Sequence, residues 1–398
     1  MIALIPAFIV GVLTSALGNF SNAGWWQILA FAILWRYLVL QDLQQPKKQA
    51  KLGWVFGLGY FSTGLWWLYI SLHDVGGMNA PLACMGVFLL SAYVAIYFAL
   101  ATLALPLFKQ NRLKGLFLAA SWVIAEFLRG YIFTGFPWMG FAETQFNGPF
   151  APIAPFFGGL TCTFLVVWAS WELYQLRKHP TSSVILIATA IGTAQLAGLF
   201  VFTKPIGEPI TVRLIQGNFE QSLKFNPQAI GRQIDFYAGE ITKQAANLII
   251  IPETAFPWPI PNLPIGLLNY LQDFSNGSDS NVLVGLIGEV PGELGMQYSN
   301  RATGLSPNAP AYQYDKAHLV PFGEFIPPGF QWFVKAFHVP MSDFARGKLD
   351  QPPFAIVRKD QADIHAALTI CYEDVFGGEL ASRIHHSDKP VNLLINMT

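Results

Sequence analysis

Seven apolar stretches follow one another within the first 202 residues, at about 3–20, 24–40, 52–72, 80–107, 115–134, 149–176 and 182–202. Most approach or exceed the roughly 18–20 residues that a helix needs to cross the hydrocarbon core of a bilayer. Core helices of a water-soluble protein do not ordinarily come in such succession. The intervening loops also alternate in charge. "QDLQQPKKQAK" carries Lys47, Lys48 and Lys51, "KQNRLK" carries Lys109, Arg112 and Lys114, and "RKHP" carries Arg177 and Lys178. "HDVGGMNA" and "GFPWMGFAETQFNG" carry neither Lys nor Arg. Basic loops stay on the cytoplasmic side. Counting forward, the seventh helix leaves the membrane near Phe202 on the far side, and everything from about Lys204 onward lies outside the cytoplasm. Residues 1–203 therefore read as a transmembrane domain of about seven helices. The first stretch lacks an early Lys or Arg, which argues against a cleaved signal peptide. Gly53, Gly57, Gly59 and Gly64 fall within one run and point to close helix packing.

Composition agrees. Only 12% of residues are charged and 53% are hydrophobic, against roughly 25% charged in an ordinary soluble protein. The net charge of zero hides an asymmetry, because most Asp and Glu come after residue 200. Lys and Arg occur in ones, twos and threes, so no nucleic-acid surface is expected. The cysteines, Cys84, Cys162 and Cys371, have no CxxC or Cys/His spacing, and neither a metal nor another cofactor is expected. Charges inside the stretches (Arg36, Glu126, Arg129, Glu172) sit near predicted ends, and no pair of broken helices marks a midplane transport site.

Beyond the "TKPIGEP" linker the texture changes. "ITVRLIQGNF" (210–219) has the β-branched enrichment of a strand. "QAIGRQIDFYAGEITKQAA" (228–246) places Ile230, Ile234, Tyr237 and Ile241 at helical spacing. "NLIIIPETAFPW", "NVLVGLIGEV", "AALTICYE" and "VNLLINMT" read as further strands, and strands alternating with helices argue an α/β domain over 210–398.

Three segments of that domain hold reactive side chains. Glu253 follows "LIIIP", where a carboxylate just past a buried strand is partly desolvated and moves toward a general base's range. Lys316 lies in "YQYDKAHLVPFGEFIP", and Cys371 ends "ALTIC". Taken singly, Glu253 reads equally as a turn-capping acid, whereas Lys316 reads first as a solvated loop lysine and Cys371 first as a buried apolar cysteine. Together they supply a nucleophile, a cation for the thiolate and the oxyanion, and a base for the thiol proton. Glu373, two residues past the cysteine, either orients Lys316 or holds the loop.

The order Glu253, Lys316, Cys371 in "IPETAFPW", "YDKAHLVPFGEFIP" and "LTICYEDVF", with "VRLIQGNFEQSLKF" before it, resembles the nitrilase (carbon–nitrogen hydrolase) superfamily. With the helices in front, the whole chain resembles the apolipoprotein N-acyltransferase family. That resemblance implies a multi-pass bacterial inner-membrane enzyme with an αββα catalytic domain facing the periplasm. Such an enzyme moves an acyl chain from a phospholipid to its cysteine, and on to the α-amino group of a diacylglyceryl-apolipoprotein. By position, Cys371 is implied as nucleophile, Glu253 as general base and Lys316 as oxyanion stabiliser. Glu324 is implied as the supporting second glutamate. Tyr372 and Glu373 match the family's "CYE", with the Tyr372 N–H as a further oxyanion donor. Phe225 stands where the family favours a substrate-contacting Trp. The family continues past "VNLLINMT" with an Asn/Asp–Trp–Phe loop, helix, strands and a last transmembrane helix. The implied form is thus C-terminally shortened, its catalytic domain incomplete at that end, and poor folding and little transfer are expected of it. Other readings of the same residues are a membrane-tethered nitrilase-type amidase, and a non-catalytic membrane scaffold or fragment.

Overall fold

The computed structural model describes residues 4–18, 23–40, 45–103, 105–107, 111–220, 226–292, 295–329 and 343–398. The chain divides into two compact units, Met1–Pro205 and Ile206–Thr398. In the first, a helix lies over each apolar stretch. They are α1 (Leu4–Leu17), α2 (Ala23–Leu40), α3 (Pro46–Gly64) with α4 (Trp67–Ile70), α5 (Ala80–Leu103), α6 (Asn111–Arg129), α7 (Ala154–Phe157) with α8 (Gly159–Gln175), and α9 (Pro180–Ala197). Among the described residues, α5 and α9 are each long and apolar enough to cross a membrane. Helix α3 and the segment Trp67–Val75, bent by 54°, make a third if the pair is one span. The sequence reading had no broken helix here. The break falls at Gly64, where Met139 packs so closely that a Cβ would overlap its side chain. Among the described residues it is the one such pair, whereas transporters built on internal repeats carry broken helices in corresponding positions of both halves.

The core of this unit is aromatic. Phe31, Trp35, Phe56, Tyr60, Phe98, Trp122 and Phe141 are buried together, largely in edge-to-face or tilted pairs such as Phe31–Phe141, with centroids 4.6 Å apart. Such geometries suit the ring quadrupoles. Glycine lets the backbones meet: a Cβ on Gly11 would run into Phe56 O, and one on Gly59 into Phe8 O. Helices α1 and α3 thus touch main chain to main chain, as small residues permit in apolar surroundings.

Glu126 and Arg129 lie in the last turn of α6, near a helix end as expected, and are buried at 9% and 1% exposure. Arg129 donates to the carbonyls of Phe136, Pro137 and Trp138. Glu126 Oε1 accepts from Phe141 N at 3.1 Å. The pair satisfies an irregular stretch of backbone that would otherwise leave polar groups orphaned among apolar helices.

The second unit contains β1 (Val212–Leu214), α10 (Pro227–Lys243), β2 (Leu248–Ile250), β3 (Phe256–Pro259), α11 (Leu267–Ser278), β4 (Asn281–Gly292), β5 (Gly295–Leu305), β6 (Tyr312–Asp315), β7 (Phe354–Ile356), β8 (Ile364–Ile370), α12 (Gly377–His385) and β9 (Leu393–Met397). Among the described residues these strands form a six-stranded sheet, ordered β1-β2-β4-β5-β6 with β3 beside β4, and a three-stranded sheet, β7-β8-β9. Strand β4 shows how the layers arise. Val282, Val284 and Leu286 pack with Ile230, Ile234 and Ile241 of α10 and Leu271 of α11. Leu283 turns the other way, into a second core with Phe354, Ile356, Leu368 and Ile370. Alternation with period 2 gives one strand two apolar faces, one for helices and one for the other sheet. Helix α10 begins at Asn226, whose side chain accepts from Gln228 N and Ala229 N, with Pro227 at the first turn, as expected of an N-cap.

One side chain ties the sheets together at their edge. Asn281, fully buried, donates from Nδ2 to Val357 O and accepts at Oδ1 from Val357 N, both at 2.9 Å. Asn281→Ala would strand both backbone groups, at about 1–3 kcal/mol each. Hydrogen exchange at β7 is expected to accelerate at least tenfold in this variant, while α5 keeps its wild-type protection.

Candidate active site

Lys316 directly follows β6. Its main-chain N–H donates to Asn300 O at 2.8 Å, carrying the ladder with β5 one residue further. The side chain is 1% exposed, and Nζ lies 2.9 Å from Glu324 Oε1 and 3.4 Å from Glu253 Oε1. Glu253 sits in the turn after β2, where Gly285 of β4 has no side chain to block the Glu253 main chain. Glu324 belongs to the tight loop after Lys316, and its Oε2 accepts from Val320 N at 2.9 Å. Sequence reasoning missed Asn300. Its Nδ2 donates to Glu253 Oε1 at 2.6 Å and to Glu324 Oε1 at 2.8 Å. The amide therefore bridges the same two oxygens that Lys316 contacts. An Asn in "MQYSNRATGL" carries no local signal; only its pairing beside Lys316 reveals it.

Cys371 follows β8 without a spacer and has φ +50°, a conformation that costs a non-glycine residue roughly 1–2 kcal/mol. Glu373 holds that turn. It is 2% exposed and accepts from Ile370 N (2.7 Å), Ala317 N (2.8 Å), His318 N (3.1 Å) and Tyr314 OH (2.8 Å). Of the two roles open to Glu373 in the sequence, it takes the loop: it grips the main chain just before Cys371 and just after Lys316. The Tyr372 ring is buried, edge-on to Phe376 with centroids 5.0 Å apart. Phe225 lies outside the described residues. Cys371 and Glu253 line one cavity of about 680 Å³ together with Gln233, Tyr237 and Asn396. Among the described residues no cluster of three His, Cys, Asp or Glu side chains is arranged to hold a metal.

The electrostatics follow from burial and charge. Burial works against the Lys316 ammonium, but Glu324 and then Glu253 outweigh it and raise its pKa. Burial pushes the Cys371 thiol up, the Glu253 charge pushes it further, and Lys316 pulls it partly back. On balance the Cys371 thiol is held above its ordinary range. The arrangement offers a thiol, a carboxylate to take its proton and a fixed cation beside both.

The chain thus joins a unit of apolar helices to an α/β unit of two sheets. Residues 10–171 match the family model "Apolipoprotein N-acyltransferase N-terminal domain". The apolipoprotein N-acyltransferase of Ralstonia nicotianae is 36% identical over 392 residues, covering 95% of this chain and 72% of that protein. The one from Nitrosomonas europaea is 34% identical over 98% of this chain and 78% of its own length. A crystal structure of a CN-hydrolase superfamily protein from Xanthomonas campestris overlaps 36% of this chain and 48% of its own, at 16% identity and a TM-score of 0.23, too shallow a match to argue from. On the sequence relatives, the chain belongs to the apolipoprotein N-acyltransferase family, a family of acyltransferases.

The two charges acting on Cys371 have opposite signs, which gives a test. Lys316→Met removes the cation that favours thiolate, so the midpoint of Cys371 alkylation against pH is expected to rise. Glu253→Gln removes the anion that opposes thiolate, so the midpoint is expected to fall. Iodoacetamide labelling, read by mass spectrometry at Cys371 across pH, reports both shifts. Equal midpoints in the two variants would mean that neither charge acts on the sulfur.

Proposed function

We propose that this chain transfers an acyl group from a phospholipid to the α-amino group of a lipoprotein's N-terminal diacylglyceryl-cysteine, by a ping-pong route through a thioester on Cys371. The observation that carries the reading is the buried Lys316, held between Glu253 and Glu324 and acting on the charge of Cys371. In the first half-reaction Glu253 takes the thiol proton as sulfur attacks the donor's ester carbonyl. The negative charge moves from Glu253 to sulfur and then to the carbonyl oxygen, where Lys316 stabilises it. Glu324 and Asn300 keep the ammonium in place throughout. The tetrahedral adduct collapses, Glu253 returns the proton to the departing lysophospholipid alkoxide, and the acyl group remains on sulfur. In the second half-reaction the neutral α-amine attacks the thioester, Glu253 accepts its proton, and sulfur leaves and is reprotonated. Exclusion of water during the acyl-enzyme stage would protect the thioester.

Residues 1–203 serve as a multi-pass transmembrane domain and 210–398 as the catalytic domain on the periplasmic face of the bacterial inner membrane. The division of the chain near Pro205 and the alternation of basic and uncharged loops support this. The acyl donor is a bilayer lipid, and exposing its chain to water would cost about 0.8 kcal/mol per methylene, so a site served from the membrane is favoured.

Incubation with phospholipid is expected to add one acyl mass to Cys371, labile to hydroxylamine. Cys371→Ser should abolish capture, because an alkoxide forms far less readily than a thiolate, while Cys84→Ala and Cys162→Ala leave it intact. Undiminished labelling of Cys371→Ser would overturn the nucleophile assignment. Release of free fatty acid with no transfer to an amine acceptor would indicate a hydrolase instead. For topology, thiol probes placed at Gly76 and Gly277 should react from outside sealed cells and one at Gln45 should not; labelling at Gln45 would reverse the orientation.

A further inference from the structure

Lys316 and Cys371 come from different sheets, and something must keep the two loops from sliding past each other. We propose that His318 and Glu379 form a staple that holds the Lys316 loop against the Cys371 turn, and that both are positioning residues for the nucleophile. The inference rests on the catalytic reading above. His318, 8% exposed, lies two residues past Lys316. Its ring stacks on Phe376, with centroids 3.5 Å apart and planes 19° apart, and meets Tyr372 edge-on at 5.7 Å. Phe376 closes the turn that begins at Cys371, donating from its N–H to Glu373 O at 3.1 Å.

His318 Nδ1 then lies 3.0 Å from Glu379 Oε1 in the first turn of α12. A carboxylate only accepts, so Nδ1 carries the hydrogen. Glu379 N in turn donates to Phe376 O at 2.9 Å. The contacts close a ring from Lys316 through His318, Glu379 and Phe376 back to Cys371. Glu373 grips the main chain on both sides and the Tyr314 hydroxyl, whereas the staple joins the Lys316 loop to the Cys371 turn through the His318 ring. The influence of Lys316 on sulfur falls with distance, so slack in this ring weakens it. Glu379 is 31% exposed at its side chain, so its removal leaves the sheet cores untouched.

The test is a double-mutant cycle on the full chain in bilayers, with Cys84 and Cys162 replaced by Ala and iodoacetamide as probe. Glu379→Ala and, separately, His318→Phe are expected to raise the midpoint of Cys371 alkylation by about half a pH unit and to slow acyl capture several-fold. Glu379→Gln keeps an acceptor and should recover most of the shift. In a Lys316→Met background Glu379→Ala should add no further shift, because the staple acts through the lysine. An unchanged midpoint in Glu379→Ala, or an equal shift with and without Lys316, overturns the staple. Acyl capture that survives Cys371→Ser overturns the catalytic reading instead, so the two failures are distinguishable.

Discussion

An ammonium taken out of water costs several kcal/mol unless its charge and its hydrogens are met. Lys316, 1% exposed, is met by Glu324 and Glu253, and most of what is irregular in the second unit serves that meeting. The turn after β2, the residue past β6 and the loop ending at Glu324 all converge on one nitrogen. Asn300 steadies the two carboxylate oxygens from below. Cys371 shares this setting: burial and the Glu253 charge push its thiol up, and Lys316 pulls it partly back.

Much of the fold was legible in the sequence because it depends on apolar periodicity. The stretches of the first half, the 3–4 spacing of Ile230, Ile234, Tyr237 and Ile241, and the alternation in "NVLVGLIGEV" each correspond to an element. What escaped has a common cause. Strands β5, β6 and β7 are polar, short or both, and their sheet positions depend on partners far away in the chain. "ITVRLIQGNF" shrank to Val212–Leu214 for the converse reason: its β-branched residues outnumber the ladder partners on offer. At the bend, Gly64 leaves room for Met139, a contact from far along the chain that no local pattern encodes.

The candidate site divides along the same line. Glu253, Lys316 and Cys371 stood out because reactive side chains at strand ends or in Pro/Gly-rich loops are locally conspicuous, whereas Glu324 came only with the family resemblance. Asn300 and Asn281 did not, since an amide's worth lies in what stands opposite it. Arg129 makes the same point in the helical unit. A charge near the end of an apolar stretch says nothing locally of its partners, and its guanidinium is spent on three backbone carbonyls of the following loop. In both units a buried polar side chain, Arg129 in the first and Glu373 in the second, holds irregular backbone in place.

Glu373 joins donors at Ile370 with donors at Ala317 and His318, more than fifty residues earlier in the chain. During synthesis the stretch from β6 to Glu324 emerges first, and it has no hold on the later turn until the segment around Glu373 arrives. For that interval Lys316 can already pair with Glu253 and Glu324, which precede it or follow closely. The Lys316 loop and the Cys371 turn are thus made at different times, and the carboxylate of Glu373 is what joins them.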